Sequence, residues 1–205
     1  MKNKIFFLVF FLITKLIVSQ ELNLNYVDKD GLKQGLWHIV DTLTIIHCSY
    51  VNDTLTGDYY EFWLFGEIKY QVKYFKGKKH GLEINYHGKI PIEIKTYYYD
   101  SLTYYESYDL KGRLEKRYGI KNGKFEGNYF SYINGKLISI RSYSKGKLEG
   151  FCSSFDKKGR LRRIKEYRNN KQNGKFIVYN KKYQVKYWAQ YKDGMLIEEK
   201  QILKK

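Results

Sequence analysis

A repeat of 22 to 24 residues constrains this chain more than any other feature, because such short units must stack on one another to bury a core. Each unit opens on a glycine. These leading glycines are Gly35, Gly57, Gly81, Gly127, Gly150 and Gly174. The step of 46 residues between the third and fourth glycines spans two periods, so we expect one unit to begin near Tyr104 without its glycine. The spacing predicts about seven units within residues 35–197.

A unit of this length has room for two strands of about five to eight residues and their turns. Asn134-Gly135 is a strong hairpin signal, since both central residues of a type I′ turn need a positive φ. We therefore interpret the recurrent glycines as structural turn residues. They are Gly57, Gly81, Gly127, Gly135, Gly150 and Gly174.

Strand alternation and composition favour an all-β chain. In one unit Ile68, Tyr70, Val72 and Tyr74 alternate with polar residues, and the chain has 22 tyrosines, 12 phenylalanines and one proline. One hairpin cannot bury enough apolar surface to be stable alone. We therefore predict an elongated single sheet of β-hairpins, roughly 65–70 Å long before twist. The alternative is a compact β-sandwich or barrel.

The two ends of the chain differ from the repeats. Residues 1–19 have a basic start and a nine-residue apolar run, which predicts an export signal. We expect residues 20–34 to be a flexible lead-in, residues 35–197 to be the repeat domain and residues 198–205 to be a charged tail. The expected location is periplasmic, outer-membrane-associated or secreted.

Charge is divided unevenly along the chain. Residues 20–110 hold 9 basic and 13 acidic residues, a net charge of −4, whereas residues 111–205 hold 26 and 8, a net charge of +18. A segment this basic favours an anionic partner. The alternative is a lysine-rich surface that only meets water.

Alignment of the units on their closing tyrosines predicts a basic ladder. Lys116, Arg141 and Lys165 stand two residues before Tyr118, Tyr143 and Tyr167, and Arg163 adds a further cation. Side chains two residues apart share a sheet face, so we expect the three cations in register, about 10 Å apart. They would form an anion-binding stripe flanked by the tyrosines. The alternative is that their alkyl stems cover the sheet while their charged ends reach solvent.

Residues that would carry catalysis or metal binding do not form a recognisable set. The four histidines include an adjacent His47-Cys48 pair, whose side chains point to opposite strand faces, and His80 and His87 are too few ligands for zinc. We expect no catalytic residues, no metal site and no cofactor. Cys48 and Cys152 lie in distant units, so we expect no disulfide.

Two motifs carry a resemblance to a known family. They are G-x-(Y/F)-x-x-(Y/F)-x-x-(N/K)-G-(K/R)-L and Y-x-x-G-K-x-x-G, found at residues 127–137 with 143–150, and at 150–161. The pattern resembles the variant MORN repeat and the YwqK-family antitoxins over about residues 57–197. The resemblance implies a stack of β-hairpins, and for an antitoxin it implies a protein toxin as partner. MORN-type repeats also imply contact with membrane lipids.

These observations together predict an exported, non-enzymatic binding scaffold. We expect another protein as the partner, in an antitoxin-like or immunity-like role that the resemblance implies. The alternative is an envelope structural protein that binds anionic lipid headgroups or polysaccharide. Basic and aromatic composition also suits nucleic acid, but export argues against that partner.

Overall fold

The computed structural model describes residues 24–202, and within that range the chain forms 17 β-strands and no helix. No helix in this range could therefore cross a membrane. The strands are β1 Tyr26–Val27, β2 Lys33–Val40, β3 Thr44–Val51, β4 Thr54–Trp63, β5 Ile68–Phe75, β6 Lys78–His87, β7 Ile90–Tyr98, β8 Ser101–Tyr108, β9 Leu114–Lys121, β10 Lys124–Ile133, β11 Lys136–Ser144, β12 Lys147–Leu148, β13 Gly150–Phe155, β14 Leu161–Arg168, β15 Lys171–Tyr179, β16 Val185–Lys192 and β17 Met195–Gln201.

The strands form one antiparallel sheet in chain order. Each strand pairs with the strands before and after it, and β11 pairs with both β12 and β13, which act as one interrupted strand. β1 pairs with β2 and β17 pairs with β16, so the two ends of the sheet are far apart. The predicted elongated sheet of hairpins is confirmed, and within residues 24–202 no second layer of strands covers either face.

Two-residue turns follow one long edge of the sheet, which we call the periodic edge. Both residues of each turn have a positive φ, as a type I′ hairpin requires. In four of the turns the second residue is a glycine, which adopts a positive φ at no steric cost. The turns recur every 23 or 24 residues. They are Asn52-Asp53, Lys76-Gly77, Tyr99-Asp100, Asn122-Gly123, Lys145-Gly146, Asn169-Asn170 and Asp193-Gly194.

Hydrogen bonds along the periodic edge join each unit to the next. The Asp100 N–H donates to the Lys79 carbonyl at 2.9 Å, and the Asn170 N–H donates to the Leu148 carbonyl at 3.0 Å. The same turn residues also accept through their side chains, since Asp100 Oδ1 lies 2.7 Å from the Lys79 nitrogen. The periodic edge therefore supplies part of the coupling between units on which a repeat protein depends.

Each leading glycine lies opposite a closing tyrosine. The pairs are Gly35 with Tyr50, Gly57 with Tyr74, Gly81 with Tyr97, Gly127 with Tyr143, Gly150 with Tyr167 and Gly174 with Tyr191. All six glycines have a positive φ. A β-carbon added at Gly35, Gly57 or Gly127 would meet no atom within 4 Å. The structural role expected for these glycines is therefore explained by backbone conformation.

Opposed residues in an antiparallel pair share a face, so the register separates two faces. The tyrosine face has a central row of Tyr59, Val72, Glu83, Lys95, Tyr105, Tyr118, Tyr129, Arg141, Cys152, Lys165, Phe176 and Ala189. The isoleucine face has a central row of Tyr60, Gln71, Ile84, Ile94, Glu106, Arg117, Phe130, Ile140, Ser153, Ile164, Ile177 and Trp188.

The core of the molecule lies along the central row of the tyrosine face. Cys48, Val72 and Ala189 are the buried apolar residues of the described range, and Glu83 is buried in the same row. Most other strand residues are half-buried, as expected for a sheet with no covering layer. Stability therefore comes from contacts between neighbouring strands over the whole length of the sheet.

The sheet extends beyond the expected repeat boundaries. Residues 26–27 of the expected lead-in form β1, and β2 begins at Lys33, because Asp28 folds the intervening turn by accepting hydrogen bonds from the Asp30 and Leu32 nitrogens. Four residues of the expected charged tail complete β17, which pairs with β16. The expected export signal, residues 1–19, lies outside the described residues.

A β-bulge corrects one part of the predicted alternation. Glu61 lies opposite Tyr70, but Phe62 lies opposite Ile68, so Lys69 is the extra residue. A bulge of this kind shifts the pairing by one residue. Ile68 is therefore placed opposite Phe62 and does not continue the row of Tyr70, Val72 and Tyr74.

Candidate functional site

The four cations of the predicted stripe all lie on the tyrosine face. Arg141 lies opposite Tyr129, and Lys165 lies opposite Cys152 and Phe176, which places both in the central row. Lys116 and Arg163 lie two residues away along their strands, in the neighbouring row. The structure therefore brings the four together on β9, β11 and β14.

The predicted register of the ladder is wrong for Lys116. Tyr118 lies opposite Tyr105 in the central row, whereas Tyr143 and Tyr167 lie opposite glycines in the row beyond. The unit that contains Tyr118 is the one that lacks a leading glycine, so its closing tyrosine does not take the usual position. Lys116 is displaced with it by two residues, about 7 Å along the strand.

Displacement of Lys116 creates a row that the sequence did not reveal. Lys116 lies opposite Ser131, Ser131 opposite Ser139, Ser139 opposite Ser154, and Ser154 opposite Arg163. We call these five residues the serine row. Ser131 and Ser154 each stand four residues after their leading glycines, whereas Ser139 stands twelve residues after Gly127, so only the strand pairing shows that the three are neighbours.

The cations of this surface have no acidic partner. No salt bridge within residues 24–202 involves Lys116, Arg141, Arg163 or Lys165. Arg141 and Arg163 are exposed, whereas the two lysines are half-buried. Lys116 Nζ lies 5.3 Å from the ring centre of Tyr105, and Lys165 Nζ lies 5.0 Å from that of Phe176, so the lysines contact aromatic rings instead.

The positive potential also acts on the residues between the cations. Burial raises the pKa of the Cys152 thiol, while the nearby charges of Arg141 and Lys165 oppose that increase. Burial likewise raises the pKa of Tyr167, and Arg141 again opposes it. Both effects show that the Arg141 charge lies close to Cys152 and Tyr167.

The tyrosines predicted to flank the stripe have different surroundings. Tyr118 is stacked between Tyr105 and Tyr129, with ring centres 4.9 Å apart on both sides and interplanar angles of 14° and 6°. The faces of the Tyr118 ring are therefore covered by other rings. Tyr143 packs against Phe125 at 5.2 Å, and Tyr167 lies opposite Gly150. The tyrosines act mainly as packing residues beside the cations.

In contrast, the ionic groups around Glu83, in the first half of this face, neutralise one another. Glu83 is buried and accepts hydrogen bonds from Lys79, from Lys95 at 3.3 Å and from the Tyr70 hydroxyl at 2.9 Å. Glu93 pairs with Lys95 at 2.7 Å. Burial alone would raise the pKa of Glu83, but these donors lower it below its ordinary value. This network is therefore structural, whereas the four cations of the second half have no acidic partner.

The isoleucine face carries the main apolar surface. Its central row runs through Ile84 and Ile94, and then through Phe130, Ile140, Ile164, Ile177 and Trp188. All seven side chains are half-buried, so part of each is open to solvent. We call these seven residues the apolar band. The band is interrupted by Glu106 and Arg117, which lie opposite each other, and by Ser153, which lies between Ile140 and Ile164.

Histidine and cysteine residues form no metal centre in the described range, where no three suitable ligands come together. His38 Nδ1 and His47 Nε2 are 2.8 Å apart and share a hydrogen bond. Cys48 and Cys152 are free and lie on β3 and β13, far apart along the sheet. His80 packs against Tyr98 and Tyr99.

Comparisons with protein-family models and with curated proteins find no match for this chain. Function must therefore be inferred from the two faces of the sheet.

Proposed function

We propose that the protein is a non-catalytic scaffold that binds another protein along its isoleucine face. The observation that carries this proposal is the apolar band, which no other part of residues 24–202 covers. A contiguous apolar surface of this kind is typical of interaction sites. The large side chains of Phe130 and Trp188 are the kind of anchor that dominates protein interfaces.

The dimensions of the band suit a protein partner. It extends from β6 to β16, roughly 45 Å at the usual spacing of strands. That length is sufficient for an interface of standard size, about 800 Å² on each partner. Glu106 and Arg117, which lie opposite each other on this face, would fix the orientation of the partner, because charges at an interface contribute more to specificity than to affinity.

The biological setting belongs to the same proposal. The resemblance to antitoxins makes a protein toxin a reasonable partner, and the expected export signal favours an immunity-like role outside the cytoplasm. Neither the toxin nor the location is required for the sheet to bind a protein through its apolar band.

Site-specific photocrosslinking tests the proposal. A photoreactive phenylalanine analogue replaces Ile164 on the isoleucine face or, as the matched control, Tyr191 on the tyrosine face, away from the four cations and the serine row. Irradiation of producing cells should give one discrete crosslinked species from position 164 and none from position 191. Equal crosslinking from both faces, or none from position 164, would contradict a partner bound to the apolar band.

A further inference from the structure

The tyrosine face carries a second binding surface, which is independent of the apolar band. It consists of the serine row together with Arg141 and Lys165 in the adjacent central row. We propose that this surface, which we call the anion groove, binds a linear anionic polysaccharide laid across strands β9 to β14. Its carboxylate or sulfate groups would meet the four cations, and its hydroxyl groups would meet the three serines.

The charges of the groove favour an anion from outside the described chain. All four cations lack a carboxylate partner there, whereas Lys69, Lys79 and Lys95 on the first half of the same face each have one. Four uncompensated cations on a small area repel one another, and an anion between them relieves that repulsion. Arginine and lysine also form stronger hydrogen bonds to anionic oxygen than neutral groups do.

The serines add hydrogen-bonding capacity between the charges. No protein group within residues 24–202 hydrogen-bonds to the hydroxyls of Ser131, Ser139 or Ser154. Each hydroxyl can both donate and accept, which suits the hydroxyl and acidic oxygens of a sugar chain. Serine is also much shorter than arginine or lysine, so the middle of the row lies lower than its two charged ends.

The layout of the groove favours a polymer over a single small anion. Lys116 and Arg163 stand at opposite ends of a row that crosses five strands, roughly 19 Å at the usual spacing. One phosphate or sulfate ion cannot reach both ends. A chain that carries an acidic group at intervals can follow the row, with Arg141 and Lys165 meeting the charges on one side.

A membrane surface fits the groove less well. Lipid binding by a protein face normally combines cations with exposed apolar residues that enter the headgroup region. Between the four cations the groove presents serines and Cys152, and the nearby rings of Tyr118 and Tyr129 are stacked on each other. Polar contacts to a chain of sugars are therefore the better match.

Binding to defined probes tests the proposal on the full chain. Titration calorimetry measures the affinity for polygalacturonate and for dextran sulfate, with neutral dextran as the uncharged control, at two salt concentrations. Sedimentation with vesicles of phosphatidylglycerol and phosphatidylcholine measures lipid binding. We expect both anionic polymers to bind, neutral dextran not to bind, and affinity to fall with salt through the release of counterions.

Two sets of substitutions separate the groove from overall charge. The groove variant carries K116Q, R141Q, R163Q and K165Q. The control variant carries K111Q, K157Q, K158Q and K181Q, which removes four exposed turn lysines and changes the net charge equally. We expect the groove variant to lose affinity for polygalacturonate by about tenfold or more, equal to about 1.4 kcal/mol. The control variant should bind within about twofold of the parent.

The serines are tested by S131A/S139A/S154A, which should weaken binding without changing its salt dependence, because no charge is removed. If the groove variant does not fold, R141Q/R163Q replaces it, since both arginines are exposed and unpaired.

Equal loss in the groove and control variants would mean that net charge alone binds the polymer, and would overturn the proposal. Binding to anionic vesicles but to neither polymer would overturn it as well. None of these results bears on crosslinking at Ile164, so the proposals for the anion groove and for the apolar band can be contradicted independently.

Discussion

At the scale of single residues, the leading glycines share a backbone conformation but differ in the space around them. Gly174 has a φ of 119°, and a β-carbon added there would overlap the Glu166 carboxylate. Gly150 occupies the same position in the preceding unit with a φ of 84°, but its added β-carbon would meet only the Ser142 Cβ at 3.8 Å. The two glycines therefore differ in steric freedom although their conformations are related.

This difference predicts unequal effects of the same substitution. Gly150→Ala should cost about 1–2 kcal/mol, the penalty for a β-carbon in the left-handed region. Gly174→Ala should cost more, because Glu166 must also leave its position against the Lys175 nitrogen, where it accepts a hydrogen bond at 3.1 Å. Chemical denaturation of both variants measures this, and equal losses would contradict the steric argument.

Glu83 gives a prediction about pH. Its pKa is lowered in the folded protein, since donors from Lys79, Tyr70 and Lys95 outweigh burial. A group of this kind stabilises the fold above its unfolded pKa, about 4.3, and the stabilisation is lost as the pH falls through the folded value. Glu83→Gln should cost about 1–3 kcal/mol at pH 7 and should reduce the loss of stability below pH 5.

Glu115→Gln is the matched control, since Glu115 is exposed and forms no salt bridge within residues 24–202. Its unfolding free energy should stay close to that of the parent at pH 7. A Glu83→Gln variant as stable as Glu115→Gln at that pH would show that the buried network contributes nothing.

Residue-level expectations had mixed success for a physical reason. The turn role of Gly135 is supported by φ values of 52° and 74° at Asn134 and Gly135, since turn chemistry is local. The predicted register of Lys116 is wrong because a change of register in one unit carries over to the strands that follow. The missing leading glycine of this unit is such a change. The serine row was not predicted, since Ser139 stands farther from its leading glycine than Ser131 and Ser154 do, and only strand pairing brings the three together.

At the scale of elements, two turns share an Asp-x-x-Gly-Arg motif, at residues 109–113 and 156–160. Asp109 and Asp156 each accept hydrogen bonds from two backbone nitrogens in the turn and pair with an arginine four residues later, Arg113 at 2.7 Å and Arg160 at 2.8 Å. The carboxylate therefore organises the whole turn. The spacing of Asp and Arg around the glycine is a local signal that identifies this turn in a sequence.

These carboxylates should titrate at unusually low pH. The hydrogen bond from Arg160 lowers the pKa of Asp156 to about 2, and that from Arg113 does the same for Asp109. NMR titration should therefore give a pKa of about 2 for both carboxyl groups. Arg160→Gln should raise the pKa of Asp156 towards its ordinary value of 3.8 and leave Asp109 unchanged. If the pKa of Asp156 did not change in the Arg160→Gln variant, the hydrogen bond from Arg160 could not be the cause of its low value.

Because these pKa values are lowered, the turns contribute stability above about pH 4, and the contribution is lost as the pH falls towards 2.

The strands themselves were largely predictable, since alternation and turn signals are properties of short segments. The bulges were not, because a bulge is visible only in the pairing of two strands. Bulges recur in most hairpins and decide which residues meet on each face.

At the scale of the whole molecule, the sheet has two faces with different chemistry. The tyrosine face changes from a neutralised ionic network to uncompensated cations along its length, while the isoleucine face has the apolar band. Uneven charge in the sequence indicated the first difference, since residues 111–205 carry a net charge of +18. Which cations meet on one face depends on register and needed the structure.

The elongated open sheet is the basis of both proposed binding surfaces, because a second covering layer would hide one of them. Small-angle X-ray scattering of the full chain in solution tests it most directly. A sheet roughly 70 Å long and one layer thick should give a radius of gyration above about 20 Å, with a long tail in the distance distribution. A compact fold of this length would give about 17 Å and a symmetric distribution, and that result would contradict the account.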